Sequence, residues 1–159
     1  MQLTRYTDYA LRVLIYLAVH PSRLATISEI SCAYGISRNH VVKVVHELGS
    51  LNFIKTQRGK QGGMQLAHSA KDINVGEVVR KMEKNLNIVN CTGPACPILA
   101  ACDLKTALYE ARDAFFTVLD RYSVADLTER RIDFLTSTLD SRAKADPPKR
   151  STRPRLSRS

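Results

Sequence analysis

The chain holds 159 residues, 44% apolar and 25% charged, enough apolar material for the core of an ordinary globular protein. Its formal net charge of +9 makes an anionic partner the first expectation. No apolar run approaches the roughly 18 residues of a membrane helix, and the apolar stretch 13–19 follows Asp8 and Arg12 and lacks a small-residue cleavage site, so the expected setting is the cytoplasm, with no membrane partner. Elements then follow in chain order. Tyr6, Ala10, Val13, Leu14 and Leu17 form one helical stripe, which Pro21 ends. Thr26-Ile27-Ser28-Glu29 has the form of a capping box and predicts a second helix to about Tyr34, closed by Gly35 in the left-handed conformation. Ser37 caps a third helix with Val41, Val44, Val45 and Leu48 at i, i+3, i+4 and i+7. Two helices joined by a short glycine-containing turn make a helix-turn-helix.

Residues 53–57 and 64–67 read as paired strands around the basic, glycine-rich Arg58-Gly59-Lys60-Gln61-Gly62-Gly63, and a helix-turn-helix followed by such a hairpin is a winged helix. Asn74 caps a fourth helix to about Asn85. After a cysteine-bearing loop, Asp103 caps a long helix from about Leu104 to Tyr122, and one more helical stretch lies between Ser123 and Leu139. On the long helix, Leu104, Leu108, Ala111, Phe115, Leu119 and Tyr122 form the stripe expected to be core. Tyr109 and Phe116, on the other side, are surplus apolar surface for the winged domain or for a second protomer.

Charge is unevenly spread. Residues 1–68 carry eight Lys/Arg against three acidic residues, residues 69–140 nine against eleven, and residues 141–159 seven against Asp146 alone. The last segment, with three Pro and no aromatic residue, is expected to be a disordered basic tail. On the third helix, the face opposite the apolar stripe presents Asn39, Val42, Lys43 and His46, with Arg38 in the first turn. A recognition helix reads bases mainly through its N-terminal half. Asn suits adenine, Lys suits guanine or phosphate, and Val42 suits a thymine methyl. Taken alone, this face is equally a solvated polar surface. The wing tips the balance, since no acidic residue lies between Glu47 and Asp72 while Lys55, Arg58 and Lys60 cluster there. Arg58 suits a narrow minor groove, and the amides of Gly62 and Gly63 suit phosphate. The expected partner is double-stranded DNA.

Of four cysteines, Cys91, Cys96 and Cys102 lie within twelve residues at C-x4-C-x5-C, unlike the C-x2-C pairs of structural zinc sites. Clustered thiolates at irregular spacing in a Gly/Pro loop favour an iron–sulfur cluster. A zinc site completed by Asp or His, and a thiol-rich loop without metal, are the alternatives. Cys32, midway along the second helix, reads as a small packed hydrophobe. No nucleotide loop or Ser/Cys–His–acid set accompanies the cysteines, and His20, His40, His46 and His68 are scattered, which argues against an enzyme or electron carrier. The fold class is therefore mainly α with a small β-hairpin wing: a winged helix-turn-helix DNA-binding domain over 1–70, a cluster-binding loop and dimerisation helices over 71–140, and the tail over 141–159.

Over residues 1–140 the chain resembles the bacterial winged-helix repressors that carry an iron–sulfur cluster. The resemblance rests on the opening Met1-Gln2-Leu3-Thr4-Arg5-Tyr6-Thr7-Asp8-Tyr9-Ala10-Leu11-Arg12, on Ile36-Ser37-Arg38-Asn39-His40-Val41-Val42-Lys43, on the wing and on the three cysteines. It adds Ser37, His40 and Gln61 to the DNA-facing set. Within the family, the cysteine spacing and Arg38-Asn39-His40 resemble the nitric-oxide-sensing branch. The cluster-biogenesis branch would carry a His where Lys105 stands. The resemblance implies a homodimer on a palindromic operator, nitric oxide as signal, and control of nitric oxide detoxification genes. It implies a 4Fe–4S cluster, with 2Fe–2S as the alternative, and a fourth ligand at Asp8 contributed by the other subunit. Arg12, one turn on, is placed to pair with Asp8.

Overall fold

A computed structural model describes residues 2–59, 61–89, 91 and 96–144. Helix α1 (Arg5–Ala18) starts where the Thr4 hydroxyl accepts the Thr7 amide, with Asp8 in its positively polarised first turn. Helix α2 (Ile27–Tyr34) has both arms of the capping box, Thr26 N to Glu29 Oε2 at 2.6 Å and Glu29 N to Thr26 Oγ1 at 3.2 Å, and ends at Gly35 with φ +64°. Helix α3 (Arg38–Ser50) is capped by Ser37. Strands β1 (Ile54–Gln57) and β2 (Gly63–Leu66) pair antiparallel from Ile54 opposite Leu66 to Gln57 opposite Gly63, and Met64 also bridges Ala25. Helix α4 (Val75–Met82) is capped by Asn74. A 3-10 turn (Leu99–Ala101) leads into α5 (Asp103–Leu119), and another (Glu129–Arg131) leads into α6 (Ile132–Lys144). No described helix is long and apolar enough to cross a membrane.

The predicted inward residues of the helix-turn-helix, Val41, Val44, Val45 and Leu48, are all buried, packed with Leu14, Leu17 and Ile30. The same core runs on past residue 70, taking in Ile73, Val78, Met82, Val124 and Leu139. Helix α6 lies against α2. There His20, buried at the end of α1, bridges the Tyr16 carbonyl at 2.8 Å and Asp140 at 2.9 Å, and Arg23 joins Glu29 at 2.7 Å to Asp140 at 3.6 Å.

Four expectations need correction. Helix α4 stops at Met82 rather than near Asn85, because Glu83 turns extended and its carboxylate accepts the Thr4 amide at 2.7 Å and the Thr4 hydroxyl at 3.1 Å. Cys102, not Asp103, occupies the N-cap of α5, and that helix ends at Leu119 rather than Tyr122. On α5 the expected core stripe is only partly covered, with Leu108, Phe115 and Leu119 half-buried. Leu104 is 65% exposed and Tyr122 46%, whereas Phe116 is the one buried residue of the helix, under the guanidinium of Arg80. Among the described residues the main packing partner of α5 is α4, whose Arg80 meets Phe116 and Asp120 at the C-terminal end of α5 and so does not cover Leu104. Finally, α6 continues to Lys144, into the stretch expected to be tail; residues 145–159 lie outside the described residues.

Candidate functional site

Burial of one side of α3 leaves Ser37, Arg38, Asn39, His40, Val42, Lys43 and His46 exposed, the full predicted set on that helix. Val42, apolar yet 48% exposed, stands among polar neighbours. Helix α1 holds this face in place. The Tyr6 hydroxyl donates to the Lys43 carbonyl at 2.9 Å, and the Tyr9 ring lies 5.9 Å from that of His40. Burial, with the nearby Glu47 carboxylate, raises the Tyr6 pKa, so the phenol stays a donor. His40 Nδ1 lies 2.9 Å from the Ser37 hydroxyl, and Arg38 hydrogen-bonds the Ser28 hydroxyl at the start of α2. Arg38 and His40 thus brace the helix-turn-helix in the free chain, while Asn39, Lys43 and His46 line its outer face.

The wing places Arg58, Gly59 and Gln61 on the surface; Lys60 lies outside the described residues. The glycines permit the tight turn of the hairpin. The Gly62 amide donates to the Gly59 carbonyl at 3.0 Å and is not free for phosphate. A Cβ on Gly62 would strike the Gln57 carbonyl, and one on Gly63 would lie 2.8 Å from the Ala25 carbonyl and 2.9 Å from Leu24 Cβ. Glycine is required there because the hairpin closes tightly on itself and on the strand-like segment at Ala25.

Asp8 and Arg12 form the expected i,i+4 pair at 2.9 Å, both side chains about two-fifths exposed. The Arg12 guanidinium also lies 5.9 Å from the Tyr34 ring on α2, whose phenol pKa burial pushes up to about 12. Cys91 and Cys102 are half-buried and Cys96 is exposed, all as free thiols; Thr92, Gly93, Pro94 and Ala95 between them lie outside the described residues. Cys102 sits at the N-cap of α5 with extended backbone (φ −93°, ψ 97°) and makes no capping hydrogen bond, so its sulfur is not committed to the helix. Among the described residues, no three His, Cys, Asp or Glu side chains are gathered to hold a metal ion, so the three cysteines and Asp8 do not converge within one chain. Cys32 is separate, half-buried on α2. The pinning of α3 by Tyr6 was not foreseen. Tyr6 reads as one more member of an apolar stripe, and its acceptor is 37 residues away.

The family described as Rrf2, iron-dependent transcriptional regulator, matches residues 3–130. The HTH-type transcriptional regulator NsrR of Bacillus subtilis (strain 168) is 46% identical over 139 residues, covering 85% of this chain and 95% of that protein. Among solved structures, CymR (YrzC), the global cysteine regulator of B. subtilis, superposes with a TM-score of 0.67 at 24% identity, covering 82% of this chain and 98% of that one. IscR of T. potens gives a TM-score of 0.67 at 22% identity, covering 82% and 88%. These two likenesses bear on the fold alone and match the predicted winged helix with a long helix attached.

Proposed function

The chain belongs to the Rrf2 family of transcriptional regulators, and from that premise we propose that it is a homodimeric, cytoplasmic repressor of nitric oxide detoxification genes, which binds a palindromic DNA operator and releases it on exposure to nitric oxide. The observation that carries the DNA-binding part is the two-sided α3: one side is sealed in the core, and the other presents Asn39, Val42, Lys43 and His46 beside an exposed wing bearing Arg58 and Gln61. The likeness to NsrR supports the nitric-oxide reading.

Cys91, Cys96 and Cys102 would hold an iron–sulfur cluster, 4Fe–4S in preference to 2Fe–2S, with Asp8 of a second copy as fourth ligand. The donor set fits. The three thiols are free and lie within twelve residues, and the sulfur at the α5 N-cap makes no capping hydrogen bond, which leaves it available to a metal. Such a cluster supplies soft iron with which nitric oxide reacts. The remaining steps belong to the chain. An Asp8 drawn across a dimer leaves Arg12, and when released it returns to the 2.9 Å pair seen here. Asp8 rides on α1 between Tyr6 and Tyr9, the residues that touch α3, so a shift of α1 reaches the recognition helix through the Lys43 carbonyl and the His40 ring. Leu104 and Val118, exposed along α5, and Tyr122 just beyond it provide apolar surface for a second copy.

Gel retardation with anaerobically purified protein tests this reading. Duplex bound at moderate salt is expected to be released on stoichiometric nitric oxide, with Asp8→Ala blunting the response. Retention of the duplex after nitric oxide in the wild type would sink the switch.

A further inference from the structure

Among the described residues, helix α5 packs chiefly against α4. Its only buried residue is Phe116. At that joint Arg80 of α4 grips the carboxylate of Asp120, the C-cap of α5, with both arms: Nη1 to Oδ1 and Nη2 to Oδ2, each 2.6 Å. The Phe116 ring lies 4.5 Å from the same guanidinium. Gly76, one turn before Arg80 on α4, leaves room for the carboxylate, which a Cβ there would strike. Two backbone ties and one side-chain amide complete the joint, with Val75 N donating to the Tyr122 carbonyl at 2.9 Å, Val124 N to the Ile73 carbonyl at 2.9 Å and Asn74 Nδ2 to the Asp120 carbonyl at 2.8 Å.

An ion pair whose side chains are 40% and 41% exposed adds little to stability. What a planar guanidinium gripping a carboxylate with two bonds does fix is direction. The Arg80 hydrogen bonds hold the Asp120 carboxyl below its ordinary range and raise the Arg80 pKa, so the pair stays charged through neutral pH. Direction matters because α5 is a lever. A tilt of about 10° at one end of a helix about 25 Å long moves the other end about 4 Å, more than the rise of one base pair.

We propose that the Arg80–Asp120 grip, with Phe116 stacked under it and Gly76 leaving it space, is a positioning device that sets the angle between α5 and the winged-helix unit and so selects the half-site spacing of the operator. The inference rests on the proposed pairing of two copies through α5. It makes Arg80, Asp120 and Gly76 determinants of which palindrome is read, although none of them belongs to the DNA-facing set.

The test uses full-length, anaerobically purified protein and a duplex that the wild type selects from a random pool of about 30 base pairs, long enough for two half-sites a helical turn apart. Affinity is measured on that duplex, on versions with one or two base pairs inserted between the half-sites, and on a single half-site. The wild type is expected to lose about tenfold or more on insertion, and Arg80→Lys and Gly76→Ala about threefold or less, with single-half-site affinity held within about twofold. The wild-type spacing profile kept in both variants would overturn the positioning role alone. A wild type indifferent to spacing would overturn both that role and the dimeric reading. If Arg80→Lys weakens the single half-site, Gly76→Ala, which keeps both charged groups, decides. Loss of single-half-site binding in both variants would show that the contact supports the winged helix itself, and would overturn the proposal.

Discussion

Glu29 shows how much one side chain does in this fold. Its carboxylate accepts the Thr26 amide at 2.6 Å, completing the cap of α2, and meets Arg23 at 2.7 Å, which also reaches Asp140 on α6. Partial burial works against its ionisation, but the bonds from Thr26 and the charge of Arg23 prevail and lower the pKa. A carboxyl depressed in the folded state stabilises above its unfolded pKa, and that contribution is lost as pH falls through the folded pKa. Glu29→Gln is therefore expected to melt below the wild type near neutrality, with the gap closing on acidification below the ordinary carboxylate range. A gap independent of pH would show that the charge contributes nothing. Thr26→Ala, which removes the opposite arm, is expected to cost about 1 kcal/mol in denaturant unfolding.

Among the elements, α3 was the most legible. Its cap, its inward stripe and its outward polar face all follow from a 3.6-residue period and short-range hydrogen bonding, so Ser37 and the Val41, Val44, Val45, Leu48 set could be assigned without tertiary information. Lys43, exposed at the centre of that face, is expected to contact phosphate or guanine. Lys43→Ala should weaken duplex binding and, for a phosphate contact, lower the slope of log affinity against log salt by about 1, measurable by fluorescence anisotropy. An unchanged affinity and slope would remove Lys43 from the interface. The wing was legible as a hairpin whose glycines permit the turn, but the backbone they approach was not. Gly62 and Gly63 face the Gln57 and Ala25 carbonyls, and only the packed hairpin shows that a side chain has no room there.

At the level of the whole molecule, the helix-turn-helix, α4 and α6 share one core while α5 stands off from it. That leaves Leu104, Val118 and Tyr122 in water, an arrangement that a second copy would relieve. Leu104→Glu together with Val118→Glu is expected to shift sedimentation from dimer to monomer and to abolish preference for a palindrome while sparing a single half-site. A double variant that stays dimeric would place the interface elsewhere. The thiols fit the same division. Cys102 is the N-cap of the helix that stands off, and among the described residues no three ligand side chains gather to hold a metal.

Whatever depends on neighbours a few residues away was legible from the chain alone: the capping box at Thr26, the left-handed Gly35, the apolar stripes of α1 and α3 and the Asp8–Arg12 pair. Tertiary structure alone decided the contacts between distant positions. These are Thr4 with Glu83 across 79 residues, Arg80 with Asp120 across 40 and His20 with Asp140 across 120. It also decided which side of α5 is covered. A helical period says which residues share a face, but burial depends on what the chain later lays against that face, and here α4 buries Phe116 while Leu104 and Tyr122 at the ends of the longer stripe stay exposed.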